Sequence, residues 1–408
     1  MRVAIVSHMP WDDPYGAATS LRLTTEALRR HVPELELTIF AAPSRSSSVH
    51  AGRELCDSST PNSAVVPANF PMEIVCSGFS QPAPVRRIWN RMVRRRSMEI
   101  VAEELATVAA SSDLIHLNSM TLAWIAGALH EILGSDCPLI TLHVRESALP
   151  GLSEHIKRDL SMIDGIVAID DNVLERLCKE LPNMSCPVIV LSNLSPQPAT
   201  SQLDDFTDGL QNQVNNRPVV AVTGRVSLDK GIAFVARAIA SVQEHSPVLL
   251  VVGARSRRKW LSPQSHLEIA RAMRRLPTDS IFYLDEIPDL GARGFYGNID
   301  VLIRGDARPG IGRNVYEALR SGASVIIPGT PNDYRSDAVL SAFTERVYFA
   351  RVRNSASYAS AISRALRDRN RRVDGEENAA DVHFLDDAHH AEALVKFWEE
   401  LSQVPRNK

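Results

Sequence analysis

The chain has 408 residues, of which 44% are apolar and 23% charged, and its 45 lysines and arginines against 48 aspartates and glutamates leave a formal net charge of −3. That length exceeds one ordinary core, so two domains are expected. The charge balance argues against a generic nucleic-acid binder, which is usually strongly basic. Five cysteines, Cys56, Cys76, Cys137, Cys178 and Cys186, are odd in number and contain no C-x-x-C pair. They predict reduced thiols packed in the interior, with neither a disulfide framework nor a zinc site.

Met1 to Pro10 enters a strand-like segment without signal-peptide architecture. The apolar stretch from Leu122 to Leu133 carries His130 and Glu131 and is too short to span a bilayer. A cytoplasmic protein is expected. Strands are predicted at Val3 to Ser7, Leu37 to Phe40, Leu114 to Leu117, Leu139 to Val144, Gly165 to Ile169 and Val188 to Leu191. Between them lie helical patterns at Ser20 to His31, Val85 to Ala110 and Asn172 to Leu181.

Pro196 to Arg217 is polar and lacks apolar periodicity, which reads as a linker. The rhythm restarts with strands at Val219 to Thr223, Val248 to Val252, Ile281 to Leu284, Val301 to Arg304 and Ser324 to Pro328. Helices are predicted at Gly231 to Glu244, Pro263 to Arg275, Asn314 to Ser321 and Ser355 to Arg367. Such alternation specifies parallel sheets covered by helices on both faces. The expected organisation is an N-terminal Rossmann-like domain over 1–195, a linker over 196–217 and a C-terminal Rossmann-like domain over 218–385. Residues 386–408 carry Leu394, Phe397, Trp398 and Leu401 at helical spacing and are expected to pack as a final helix.

Two segments carry chemistry. Gly224-Arg225-Val226-Ser227-Leu228-Asp229-Lys230-Gly231 follows one strand and opens a helix. Two cations beside a helix N-terminus suit a diphosphate, because unpaired backbone N–H groups there already favour anions. Pro309-Gly310-Ile311-Gly312-Arg313-Asn314 follows another strand and leads into a helix that carries Glu317. Glycines one residue apart let backbone approach a ligand closely.

Together these segments resemble the retaining glycosyltransferases of family four. That resemblance extends through Asp113-Leu114-Ile115-His116, Thr141-Leu142-His143, Val167-Ala168-Ile169-Asp170 and Val190-Leu191-Ser192-Asn193. It implies an α/β protein of the GT-B fold, with two Rossmann-like domains whose parallel sheets face across a cleft and a last helix, over 386–408, that crosses back to the N-domain. The implied activity is metal-independent, retaining transfer of a sugar from a nucleoside-diphosphate donor to a glycan, lipid-linked or small-molecule acceptor. Neither a cofactor nor a nucleic-acid partner is implied. Carried over by position, Arg225 and Lys230 bind the diphosphate and stabilise the leaving group. Gly310, Ile311, Gly312, Arg313 and Asn314 contact sugar and phosphates, Glu317 binds ribose, and Gly16 lies in a phosphate-approaching loop. His143 faces the donor sugar by resemblance, whereas its residue pattern alone reads as a core histidine.

The chain departs from that family at Pro309, where an acceptor Glu is usual, which leaves the donor sugar open. It also departs at Leu194, in place of glycine, at Ala17, and at Thr330-Pro331-Asn332-Asp333. A dinucleotide-binding dehydrogenase is disfavoured, because the loop after the first strand lacks G-x-G-x-x-G. Pro309 motivates a rival reading, a non-catalytic GT-B protein that binds a nucleotide or an active partner.

A basic segment, Val85 to Arg96, places Val85, Ile88, Trp89, Met92 and Val93 on one helical stripe. Arg86, Arg87, Arg91, Arg94, Arg95 and Arg96 occupy the remaining faces. Two readings stand. One is peripheral contact with an anionic membrane surface at its inner face; the other is a domain helix whose arginines lie in water or hold an anionic acceptor. Flotation with anionic vesicles decides between them: neutralising these charges should abolish co-flotation under the first reading, and wild-type protein should not float under the second.

Overall fold

Short runs of branched apolar residues cover both faces of a strand, and such strands are stable only inside a sheet sandwiched by helices. The computed structural model contains two such sheets. It describes residues 1–10, 16–42, 63–67, 98–145, 152–194, 214, 217–224, 230–253, 263–284, 294–306, 310–335, 337–372 and 387–404. The chain divides into two units, Met1–Leu194 with Leu385–Lys408, and Ser195–Phe384.

In unit 1 the strands are β1 (Arg2–Pro10), β2 (Glu36–Ala42), β3 (Ser63–Pro67), β4 (Leu114–Leu117), β5 (Leu139–Val144), β6 (Gly165–Ala168) and β7 (Val188–Val190). They form one sheet in the order β3-β2-β1-β4-β5-β6-β7, parallel throughout. Its helices are α1 (Gly16–His31), α2 (98–109), α3 (Trp124–Leu133), α4 (Glu154–Leu160) and α5 (Asp171–Glu180). Alternation divides the strand residues between two cores. Ile115, Leu117, Ile140 and Leu142 face α2 and α3 residues such as Leu105 and Leu129. Val3, Ile5, Leu114 and Val167 face the opposite way.

Unit 2 repeats the plan with β8 (Val219–Thr223), β9 (Val248–Val252), β10 (Ile281–Leu284), β11 (Val301–Ile303), β12 (Ser324–Pro328) and β13 (Val347–Ala350). The order is β10-β9-β8-β11-β12-β13, again all parallel. Its helices are α6 (Ile232–Ala240), α7 (Pro263–Met273), α8 (Arg313–Arg320), α9 (Ala338–Ala342) and α10 (Ser355–Arg372). In both sheets the order reverses beside the first strand, between β1 and β4 and between β8 and β11. Reversal sends the neighbouring connections to opposite faces and opens a crevice at the carboxyl ends, the usual ligand site of such sheets.

The last helix, α11 (Asp387–Gln403), belongs to unit 1. It packs on α1 and buries Leu394, Phe397, Trp398 and Leu401 against Val3, Leu28 and Val167. Each of these large side chains contributes about 1.5–3 kcal/mol when fully buried.

The structure adds elements that the periodicity does not announce. β3 has only two branched residues and ends in proline, which an edge strand tolerates; α4 and α9 are too short for a periodic signal. One expectation is corrected: of the cysteines, Cys137 is buried but Cys178 is exposed on α5 and Cys186 is half-buried. Cys178 follows Leu177, which takes the core position on that helix. No helix among the described residues is long and apolar enough to cross a membrane.

β6 runs close beneath α11: a methyl group at Gly165 would lie 2.5 Å from Leu401 Cδ1 and 2.8 Å from Phe397 Cζ. Gly165→Val should cost about 2 kcal/mol or more, in the range of overpacked cores. Gly297→Ala, where the added carbon meets nothing within 4 Å, should stay within about 0.5 kcal/mol. Urea unfolding of both variants checks the contrast.

Candidate functional site

Within unit 2 the reversal between β8 and β11 brings the two glycine-bearing loops together. β8 ends at Thr223 and is followed by Gly224 at φ +111°, and Gly231, at φ +67°, caps the start of α6. β11 ends at Ile303 and is followed by Arg304, Gly305 and Asp306. The loops touch through backbone: a methyl group at Gly231 would lie 2.1 Å from Gly305 O, and one at Gly305 would lie 2.6 Å from Lys230 O. Any side chain at either position would push the loops apart.

Three charges line this contact. Lys230 Nζ is 2.6 Å from Asp306 Oδ1, and Arg304 Nε is 2.7 Å from Asp306 Oδ2. Burial pushes the Asp306 carboxyl up, but the charges and hydrogen bonds of Arg304 and Lys230 outweigh it and hold the group well below the usual carboxylate range. Arg304 and Asp306 were not singled out from sequence. Their signal is the charged run Arg304-Gly305-Asp306 immediately after an apolar strand.

The start of α8 completes the edge. Gly312 is the N-cap and brings no side chain to cap it, and the first turn holds no acidic residue. The Gly310 N–H donates to Tyr334 Oη over 2.9 Å, and Tyr334 Oη donates to Pro328 O over 2.6 Å. Gly310 therefore braces the turn, and the helix start offers its N–H groups from Gly312 onward. Asn314 Nδ2 donates to Thr223 Oγ1 over 2.9 Å, which ties α8 to the end of β8.

Glu317 is 4% exposed, with Oε1 2.7 Å from Arg313 Nε. Burial first, then the nearby Glu317 charge, pushes the pKa of the buried Tyr296 hydroxyl well up. The carboxylate proposed for ribose is thus buried and paired with Arg313. Lys230, Ile311, Gly312, Arg313, Asn314 and Glu317 all gather at this one edge. Arg225, Pro309, Arg86, Arg87, Arg91, Arg94, Arg95 and Arg96 lie outside the described residues.

In unit 1, Gly16 opens α1. His143, near the end of β5, is 0% exposed. It shares a sheet face with His116, whose ring centroid is 5.6 Å away at 73°, and His116 in turn lies 5.3 Å from the Trp398 ring on α11. His116 Nδ1 is 2.9 Å from Thr141 Oγ1. Neither ring nitrogen of His143 has a hydrogen-bond partner among the described residues, so it is not the satisfied core histidine that its residue pattern alone suggests. Beside it, Arg145 Nε donates to Asn118 Oδ1 over 2.8 Å and Arg145 Nη1 donates to Asn193 Oδ1. Arg145, also missed in the sequence, links the carboxyl ends of β4 and β5 to the segment after β7. Asp170 accepts from Val173 N over 2.7 Å and caps α5.

No family model matches the chain. A search of curated proteins finds no match either. Solved structures do match over nearly its whole length. Anabaena Alr3699/HepE in complex with UDP-glucose is 14% identical at a TM-score of 0.64, covering 99% of this chain and 98% of that one. Sucrose-phosphate synthase from Thermosynechococcus elongatus is 15% identical at 0.65, covering 98% and 96%. The N-terminal domain of Candida albicans trehalose-6-phosphate phosphatase is 12% identical at 0.68, covering 98% and 92%. At these identities the likeness establishes the fold, GT-B with two Rossmann-like domains.

The buried histidines dictate how the fold responds to acid. Burial first, then the Arg145 charge, lowers His116 to about 3 and His143 well below its ordinary value. His390 on α11, near the Ser192 backbone, is lowered by burial and Arg145 to about 3. Between pH 6.5 and 3 the unfolded chain therefore binds more protons than the folded one. The stability contributed by keeping these rings neutral is present above pH 6.5 and is lost as pH falls toward 3. Each histidine adds a slope of about 1.4 kcal/mol per pH unit in that window. Urea unfolding from pH 7 to pH 4 should show the loss, and His116→Gln should flatten the slope by about one histidine's share.

Proposed function

We propose that the chain is a glycosyltransferase that takes a sugar from a nucleoside-diphosphate donor, and that the carboxyl edge of the unit 2 sheet holds the diphosphate. The observation that carries this reading is that Lys230 and Arg304, joined through Asp306, stand where the strand order reverses, with Arg304 reaching the N-cap of α8, which has no side-chain cap. An ammonium and a helix N-terminus both favour phosphate oxygens. Fold alone does not decide the matter, since a domain of a phosphatase shares it. Among the matching structures, HepE was solved with UDP-glucose, which supports a nucleotide sugar as the ligand class.

In this reading Lys230 and Arg225 bind the donor diphosphate and stabilise the negative charge that develops as the sugar–phosphate bond breaks. Preorganised cations lower such a barrier because they need no reorganisation during the step, which is why the transfer is assigned as metal-independent. Retention of anomeric configuration follows from the family four resemblance. The acceptor is a glycan, a lipid-linked sugar or a small molecule. Glu317, paired with Arg313 on the first turn of α8, binds the donor ribose in this reading, as the resemblance implies.

A melting-temperature panel of nucleoside diphosphates and their sugars tests the ligand class. A ligand at a hundred times its dissociation constant should add about 2.7 kcal/mol of stability. With the donor so found, Lys230→Met and Arg225→Ala should each lower transfer by roughly 100-fold while leaving unfolding unchanged. Near-normal transfer in either variant refutes the diphosphate assignment. Binding without turnover across many acceptors would favour the non-catalytic alternative.

A further inference from the structure

The Arg304–Asp306–Lys230 row has an arrangement that simple phosphate binding by Lys230 does not require. A carboxylate touching the key ammonium would by itself neutralise it. Here the same carboxylate also holds a guanidinium, so the row of two cations and one anion keeps a net charge of +1. Arg304, Asp306 and Lys230 are 11%, 18% and 28% exposed, which shields them from much of the solvent screening.

Arg304 is also placed from several sides. Its N–H donates to Ile326 O over 2.9 Å, and its carbonyl accepts from Tyr358 Oη on α10 over 2.9 Å. Its guanidinium reaches the N-cap of α8, because a methyl group at Gly312 would lie 2.3 Å from Arg304 Nη1. A cation at a helix N-terminus is opposed by the helix dipole. Arg304 nevertheless occupies that place.

We propose that Asp306 is a positioning residue that fixes Lys230 at the strand ends, and that Arg304 is a further donor-phosphate cation which keeps the row net positive. This rests on the diphosphate reading above for Arg304, while the role of Asp306 toward Lys230 can be read without any ligand. Asp306 does not touch the donor. It sets where the Lys230 ammonium waits, and Arg304 prevents that restraint from cancelling the attraction for an anion.

The test uses the full chain with inorganic pyrophosphate as the probe, so that base and sugar do not enter. Pulse acetylation of Lys230 by acetic anhydride, read by mass spectrometry without ligand, should be at least fivefold faster in Asp306→Asn than in wild type. Asp306→Glu, which keeps the carboxylate, should restore protection to within twofold and serves as the variant of choice should the Asn form not fold. Arg304→Met should weaken pyrophosphate binding at least tenfold in calorimetry, and Arg304→Lys should recover it to within threefold. Equal acetylation of Lys230 in wild type and Asp306→Asn overturns the positioning role. Unchanged pyrophosphate affinity in Arg304→Met overturns the role of Arg304. Absence of pyrophosphate binding by the wild-type protein refutes the diphosphate reading and Arg304's part with it, while the acetylation ratio still decides the part of Asp306.

Discussion

Backbone-to-backbone contact between Lys230-Gly231 and Gly305 is the constraint on which the unit 2 site depends. Two loops nearly eighty residues apart in sequence come together because β8 and β11 are hydrogen-bonded neighbours at the point where the strand order reverses. Only glycine at both positions lets them close to this distance. The closure then places a carboxylate from one loop against an ammonium from the other, and it sets the start of α8 beside both. Without that contact, the same residues would be separate solvated loop charges of little consequence.

The site is braced from below by neutral and charged groups in nearly equal measure. Asn314 on the first turn of α8 donates to Thr223 at the end of β8, and Glu317 pairs with Arg313. Tyr334 pins Gly310 to β12, and Tyr358 pins Arg304 to α10. Such buried networks are costly if any member is left unsatisfied, and when complete they hold one arrangement.

Unit 1 solves a different problem. Its second sheet face carries His116, Thr141 and His143, polar residues that would destabilise an open surface less than they do a sealed one. α11 covers that face with Leu394, Phe397 and Trp398, and the cost of burying the rings is that they stay neutral. Arg145, near the same rings, spans three strand ends through Asn118 and Asn193. His143, at a strand end, is fully buried with both ring nitrogens unpartnered among the described residues.

Periodicity and composition determined most of the secondary structure. β8, β9, β10 and β12 occupy the spans their apolar runs predict, because a branched run flanked by polar turns has no stable alternative inside a parallel sheet. Glycine spacing and the cations after strands also picked out Lys230 and the Gly310 to Asn314 turn. The tertiary structure alone decided what those groups touch. Glu317 carries a ribose role by resemblance, and only the structure shows that it is buried and paired with Arg313. Arg304 reads from sequence only as the end of a predicted strand, and Asp306 is not singled out at all, yet Asp306 joins Arg304 to the key lysine. The reason is physical. Local pattern fixes which backbone forms a strand or helix, whereas the partner of a charged side chain depends on which strands become neighbours, and that is set by packing across the whole sheet.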